Sequence, residues 1–307
     1  MYQIGWWEEL MRDFQIFSDS SCDLPEQLIY EHDIKVIPFY VSFELDIYYK
    51  ENVDITKEAF YERMEKENGT IITALPSVME YMNEFKISLR KGLDILCICL
   101  SQKFSGSYQS AMNAKTILEE QYPEAHIHII DSIQATGGQG LLLLQAANLK
   151  KRMYSLEKVA GILETLKSTA RIMFTVDTLE YLTRGRRIGK AISLAGDMQG
   201  IKSLVQLKEG ELIPYSKVRG RKNALDRLIT MTQEYFAEAG ENPQDYDFCI
   251  TDATTLNDSI YLQEHLENYL GRRLSHPIFR IGITIGAYVG PGGIGICFIK
   301  KYDQEAP

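Results

Sequence analysis

Histidine is scarce in this 307-residue chain: His32, His126, His128, His265 and His276 are all there is. Acid–base and metal chemistry lean heavily on that side chain. Only His126 and His128 stand close together, at i and i+2 of a strand-like run with no carboxylate at ligand spacing, so they read as surface or packing residues. A GxSxG nucleophile elbow and a Walker phosphate loop are both missing. Cysteine is sparse and odd in number: Cys22, Cys97, Cys99, Cys249 and Cys297 show no framework spacing. That fits free thiols in a reducing compartment and a cytoplasmic location. Cys97 and Cys99 share one face of the apolar run DILCICL and read as core. Without about 18 consecutive apolar residues, neither a membrane-spanning helix nor stable membrane insertion is expected. The opening MYQIGWWEELMRD has neither the basic start nor the apolar stretch of a signal peptide. Trp6, Trp7, Leu10 and Met11 there can form one amphipathic turn of a weakly packed extension, residues 1–13. Positive charge is also short: the net charge of −9 weighs against nucleic acid or an anionic membrane as the main partner.

What is present is globular material. Hydrophobic residues make up 45% and charged residues 24%, a balance that buries a large core, and the length suits two domains. From residue 14 to about 168, strand-like and helix-like segments alternate. FQIFSD, the buried run at 93–100 and HIHIID read as strands; 24–31, 56–67, 77–89 and the stretch after SQKFSGS read as helices. Asp23 is the expected cap of the first helix and Pro38 a bend in IKVIPFYVSF. TGGQG reads as a turn feeding the apolar helix LLLLQAANLKK. This rhythm predicts an α/β fold, a Rossmann-like parallel sheet with helices on both faces. Residues 169–307 mix a hairpin at Glu209-Gly210 with helices and strands, and predict an α+β domain with a mixed sheet. HPIFRIGITIGAYVG is expected as one strand.

Small hydroxyl and glycine residues follow the first-domain strands: Asp19, Ser20 and Ser21; Thr73; Ser105, Gly106 and Ser107; Asp131, Ser132, Gly137 and Gly138. In an open parallel sheet the ligand crevice lies outside the carboxyl ends of the strands. These loops therefore predict one convergent anion site, with Ser105-Gly106-Ser107 at a helix start as its cradle; simple N-capping explains any one of them as well. Two basic clusters, TRGRRIGK with Arg187 and SKVRGRK with Arg219 and Arg221, are candidate contacts for phosphate or an acidic partner, or else solvated loop charge. Gly290-Pro-Gly-Gly-Ile-Gly295 fits GxGxxG formally, but no helix follows it, so it reads as a tight turn.

Together these segments resemble the DegV family of bacterial lipid-binding proteins, over nearly the whole chain. IFSDSSCDLP, Thr73-Ala74-Leu75-Pro76-Ser77, Ser105-Gly106-Ser107-Tyr108-Gln109-Ser110-Ala111, FTVDTLEYLTRGRRIG, KVRGRKNAL and Gly290-Pro291-Gly292 occur in the family's order. The resemblance implies two domains with a long-chain fatty acid between them and no cofactor. It implies a carboxylate held by Thr73 and Ser105 and, in several bacteria, presentation to a separate fatty acid kinase. Arg219 or Arg221 would then meet the kinase or a phosphate. Ser20, Gly106, Gly138 and Tyr288 complete the expected ligand set. Tyr288 stands where the family usually has His, Ser203 where it has Pro and Ala74 where it has Ser; a phenol donates a hydrogen bond but carries no positive charge near neutral pH. A lipid sensor or store without a kinase is the alternative function. A Ser105-dependent esterase is a third, for which the sequence offers no obvious base.

Overall fold

The structure is a computed structural model that describes residues 12–44, 46–66, 71–194 and 200–302. The expected extension at 1–13, with its turn at Trp6 and Trp7, lies outside the described residues except for its last two positions. Four strands, β1 (Phe14–Asp19), β2 (Ile34–Ile37), β6 (Asp94–Cys99) and β7 (Ile127–Asp131), form a parallel sheet in the order β2-β1-β6-β7. β1 and β6 are buried along their whole length, as continuous apolar runs in parallel sheets should be. Helices α3 (Val78–Leu89) and α4 (Ser107–Gln121) cover one face; α5 (Thr136–Lys151) and α6 (Leu156–Leu166) cover the other. Ser77 and Glu80 start α3 with a reciprocal capping box.

Pro38 ends β2, and the chain leaves the parallel sheet there. β3 (Tyr40–Glu44), β4 (Ile47–Lys50) and β5 (Ile72–Ala74) make a separate antiparallel sheet, order β4-β3-β5, flanked by α2 (Lys57–Lys66). The second half forms a mixed six-stranded sheet. β8 (Arg171–Val176), β9 (Ile201–Lys208), β10 (Glu211–Arg219), β11 (Tyr246–Asp252), β12 (Phe279–Arg280) and β13 (Ile294–Lys300) run in the order β10-β9-β8-β13-β11-β12. Glu209 and Gly210, both at positive φ, close the β9–β10 hairpin with the backbone twist that tight hairpins need. α8 (Arg221–Ala239) and α9 (Leu256–Leu270) pack on the outer face.

α5 is where the two halves meet. It touches β1 and β6 on one side and β11 and β13 on the other. Thirteen of its positions are buried, which is why its sequence is apolar all round. TGGQG is the first turn of this helix, a correction to the turn expected there. A Cβ on Gly137 would lie 2.8 Å and 2.9 Å from the Cys249 and Cys297 sulfurs; one on Gly140 would press on the Cys22 carbonyl. The glycines let α5 lie close to both sheets. The largest core cluster accordingly draws on both halves, from Phe14 to Ile299.

Two further expectations are corrected. Asp23 is not a helix cap: helix α1 (Glu26–Glu31) has Pro25 before it, and the Asp23 carboxylate turns inward to accept a hydrogen bond from Gly282 N at 2.8 Å. The segment expected as one strand after His276 is strand only at β12 and then becomes helix α10 (Ile283–Val289). Its alternation of isoleucine with small residues mimics a strand. The buried Glu51 carboxylate overrides it by accepting from the backbone N–H groups of Ile283 and Thr284 and from the Thr284 hydroxyl, which fixes a helix N-terminus there.

Candidate functional site

A cavity of about 910 Å³, counting its open mouth, lies between the parallel sheet, the small antiparallel sheet and the mixed sheet. Its apolar wall comes from every layer: Phe39, Leu100, Phe174, Leu207, Leu212 and Ile285 among others. The β1/β6 boundary, where strand order reverses, is the expected place for a ligand crevice, and Leu100, Phe104, Ser105, Ala135 and Thr136 line the cavity from the loops after β6 and β7.

Polar groups gather at the half-buried end. Thr73 on β5 and Tyr288 on α10 bring their hydroxyl oxygens to 2.6 Å. The two share one hydrogen bond, which leaves one hydroxyl hydrogen free to donate. Ser105 Oγ accepts from Ser107 N at 3.2 Å, so its own hydrogen is also free. Arg187 lies 4.9 Å from the Tyr288 ring centroid and donates to the carbonyls of Phe104 (3.2 Å) and Gly185 (2.5 Å). The side chain lines the cavity, and three of its five N–H groups have no acceptor among the described residues. Two hydroxyl donors and a guanidinium at the mouth of an apolar cavity suit an anionic head on an apolar body. No histidine or carboxylate is hydrogen-bonded to Ser105 among the described residues. No group of three or more His, Cys, Asp or Glu is placed to hold a metal among them either.

The sequence model described as "uncharacterised protein, DegV family" matches residues 13–301. The chain belongs to the DegV family. A DegV domain-containing protein of Clostridium perfringens is 31% identical over 294 residues, 94% of this chain and 98% of its own. A stearic acid-binding protein from Eubacterium ventriosum is 32% identical and superposes with a TM-score of 0.89, covering 94% of this chain and 99% of its own. DegV of Bacillus subtilis, a fatty acid binding protein, is 27% identical with a TM-score of 0.79, covering 94% of this chain and all of its own.

The family segments converge on this cavity in different ways. Thr73, Ser105, Arg187 and Tyr288 line it. Gly106 is exposed at the cap of α4, beside Leu75, and does not line it. Ser20 is buried behind the wall, donating to Glu51 Oε2 at 2.5 Å and accepting from Phe39 N at 2.9 Å. Gly138 is packed inside α5, where a Cβ would meet Gln134 and Ile172. Arg221 is committed elsewhere. Its guanidinium donates to Asp258 Oδ2 (2.7 Å), the Gly292 carbonyl (2.7 Å) and Thr255 Oγ1 (3.2 Å), and lies 3.6 Å from Asp177. It is the clamp of the Gly290-Pro291-Gly292 turn, which follows the helix carrying Tyr288. Arg219 sits exposed at the end of β10 with no side-chain partner among the described residues.

Three buried carboxylates organise the site in ways that motif spacing does not reveal, although Asp19 belongs to a loop expected there. Asp19, fully buried, accepts from Leu100 N (2.9 Å), Ser107 Oγ (2.7 Å), Ser21 Oγ (2.6 Å) and Gln139 Nε2 (3.0 Å). It ties together the loops after β1 and β6 and the start of α5. Asp23 and Glu51 lie under the N-terminus of α10. Burial pushes the Asp23 carboxyl up to about 7, helped by the nearby Glu51 charge and opposed by Lys57. Burial raises Glu51 as well, against the hydrogen bonds from Ser20 and Thr284. Only their place in a Ser/Asp-rich opening and a polar turn hinted at them.

Beside the mouth, Lys103, Arg186, Arg187 and Lys190 border a surface groove with Glu211. Hydrogen bonds from Lys190 and Lys103 hold the Glu211 carboxyl down at about 2.

Proposed function

We propose that this protein binds a long-chain fatty acid in the cavity between its two halves, with the carboxylate at Thr73, Ser105, Tyr288 and Arg187 and the tail along the apolar wall. The observation that carries this reading is the pairing of an apolar cavity with hydroxyl donors and one guanidinium at its exposed end. The 32%-identical stearic acid-binding relative supports the ligand class. The energetics suffice. Burial of about fourteen methylenes, at about 0.8 kcal/mol each, is worth roughly 11 kcal/mol before association costs. Few polar contacts are then needed. The role is binding and presentation rather than catalysis, a reading supported by Ser105 having no histidine or carboxylate hydrogen-bonded to it among the described residues. Five buried, unpaired cysteines fit a cytoplasmic setting, and no described helix is long and apolar enough to cross a membrane.

The carboxylate end opens beside the basic groove, which suits delivery of the head to a separate kinase for acyl-phosphate formation, with Arg187 as the contact there and Arg219, exposed at the far end of β10, as a separate candidate contact. Tyr288, bonded to Thr73 in place of a histidine, favours a second reading, a store or sensor without a kinase. Titration of delipidated protein with stearate and with its uncharged methyl ester tests the binding mode. Stearate is expected to bind at least about tenfold tighter, the size of a charge-assisted hydrogen bond; equal affinity would sink the assignment of the head. ATP-dependent acyl-phosphate production with a bacterial fatty acid kinase supports presentation, and its failure while stearate still binds supports the store.

A further inference from the structure

A second hollow, of about 640 Å³ counting its open mouth, lies on the face of the mixed sheet opposite the cavity. Strand alternation sets the two back to back. Ile172, Phe174 and Leu207 line the cavity, whereas Met173, Gln206 and Lys208 line the hollow. The C-terminal half of α8 closes it from above. Met173 and Met231, both fully buried, give it an apolar lining, and Tyr215 and Tyr235 stand beside them. Lys208 and Glu238 bring opposite charges to its rim. Neither side chain has a hydrogen bond or an ion pair among the described residues. Exposed charges are commonly left to water, so these two alone would carry nothing.

Arg171 supplies an independent sign. It is a buried cation, 7% exposed, with no carboxylate in ion-pair range among the described residues. Its Nη1 is engaged, donating to the carbonyls of Ser168 (2.6 Å) and Ala170 (2.7 Å). Its Nε is buried without a partner, and its Nη2 makes no hydrogen bond among the described residues. That Nε–Nη2 edge is the fork that grips a carboxylate through two parallel bonds. Burying a charge without a counterion is costly. Arg171 pairs directly with Lys208 across β8 and β9 and stands two residues before Met173. Side chains so placed share one face of a sheet. The guanidinium also lies 5.6 Å from the Tyr235 ring centroid. It thus borders three residues that line the hollow.

We infer that the hollow is a second ligand site, for a free amino acid with a large apolar side chain. The carboxylate takes the open edge of Arg171 beside Lys208. A plain carboxylic acid would leave Glu238 unanswered; the α-ammonium group meets it. The side chain lies between the two tyrosines and against the methionines, whose thioethers make favourable contacts with rings. This site is independent of what fills the cavity on the other face.

The purified full chain is titrated with L-phenylalanine and with phenylacetate and phenethylamine, which each lack one of its two charges. Binding is read by saturation-transfer NMR. Phenylalanine is expected to bind tightest, phenylacetate less tightly and phenethylamine weakest. Arg171→Gln should weaken phenylalanine by at least about tenfold, the worth of a charge-assisted hydrogen bond. Lys208→Met, at an exposed position, should act in the same direction and serves as the second removal should Arg171→Gln fold poorly. Glu238→Gln should bring phenylalanine down to the level of phenylacetate. No transfer to phenylalanine, or binding that survives the removal of both cations, overturns the site. So does phenethylamine binding as tightly as phenylalanine. Displacement of phenylalanine by excess stearate would place it in the cavity instead and overturn the site as well.

Discussion

At the scale of single residues, the exposed end of the cavity depends on a few hydroxyls. Tyr288→Phe removes the partner of Thr73 and one free donor at the head. Ligand retention is expected to fall by roughly three- to tenfold, read as the off-rate of a fluorescent fatty acid; an unchanged off-rate would remove Tyr288 from the head site. Asp23 makes a different prediction, about stability. Its folded carboxyl is raised to about 7, above the value near 4 of an unfolded aspartate. Between those two values the native state holds a proton that the unfolded state has lost. Stability from this group is therefore full below about pH 4 and is lost as pH rises through 7, at no more than about 1.4 kcal/mol per pH unit. Asp23→Asn keeps an acceptor for Gly282 N and removes the titration. Urea midpoints of wild type and variant are expected to diverge between pH 5 and 8, with the variant favoured at the alkaline end; parallel curves would mean that Asp23 is charged throughout.

At the scale of elements, glycines and one arginine set where the cavity walls stand. A Cβ on Gly185 would run into the Tyr288 ring. Gly185→Ala should thus loosen ligand retention as Tyr288→Phe does, with little change in melting temperature, because Gly185 ends the short helix α7 (Glu180–Arg184) with φ −74°, which alanine adopts freely. A large fall in melting temperature with normal ligand retention would contradict this. Arg221→Ala removes the clamp on the Gly292 carbonyl and leaves Asp258 without its cation. The expected loss is about 1–3 kcal/mol in urea titrations, and Arg221→Lys should recover only part of it, since an ammonium cannot span three partners in one plane. Arg219→Ala, at an exposed and unpartnered position, should leave stability unchanged. Equal effects of the two alanine variants would dissolve the distinction between clamp and surface charge.

Across the whole molecule, the sequence announces the two kinds of sheet and much of the site, and the rest is hidden for identifiable reasons. Period, apolar runs and turn residues suffice for β1, β6, β7, the β9–β10 hairpin and most helices, because their local preferences agree with the tertiary outcome. α10 is illegible because its helical state is imposed by Glu51, more than 230 positions away. In the small sheet β4-β3-β5 the extended run through Val41 and the very short strand at 71–73 are legible, but β4 and the pairing are not, because the strands are short and β3 and β5 pair across helix α2. At the site, Ser105 reaches the cavity from the loop after parallel strand β6 as expected, whereas Thr73 reaches it from β5 of the antiparallel sheet rather than from the end of a parallel strand. Ser20 and Gly138 stand behind the wall instead, since their neighbours take their polar and packing capacity. Arg187 and Arg221 look alike in sequence, as members of basic clusters. Only the fold separates them, placing one at the mouth and the other under the glycine turn.

The central claim is that the cavity holds a fatty acid. Its most direct test is native mass spectrometry of gently purified protein, followed by organic extraction and identification of what is released. The account predicts one long-chain acyl carboxylate per chain, lost on extraction and regained on incubation with stearate. A protein that is empty as purified and stays empty after exposure to stearate and palmitate would contradict it.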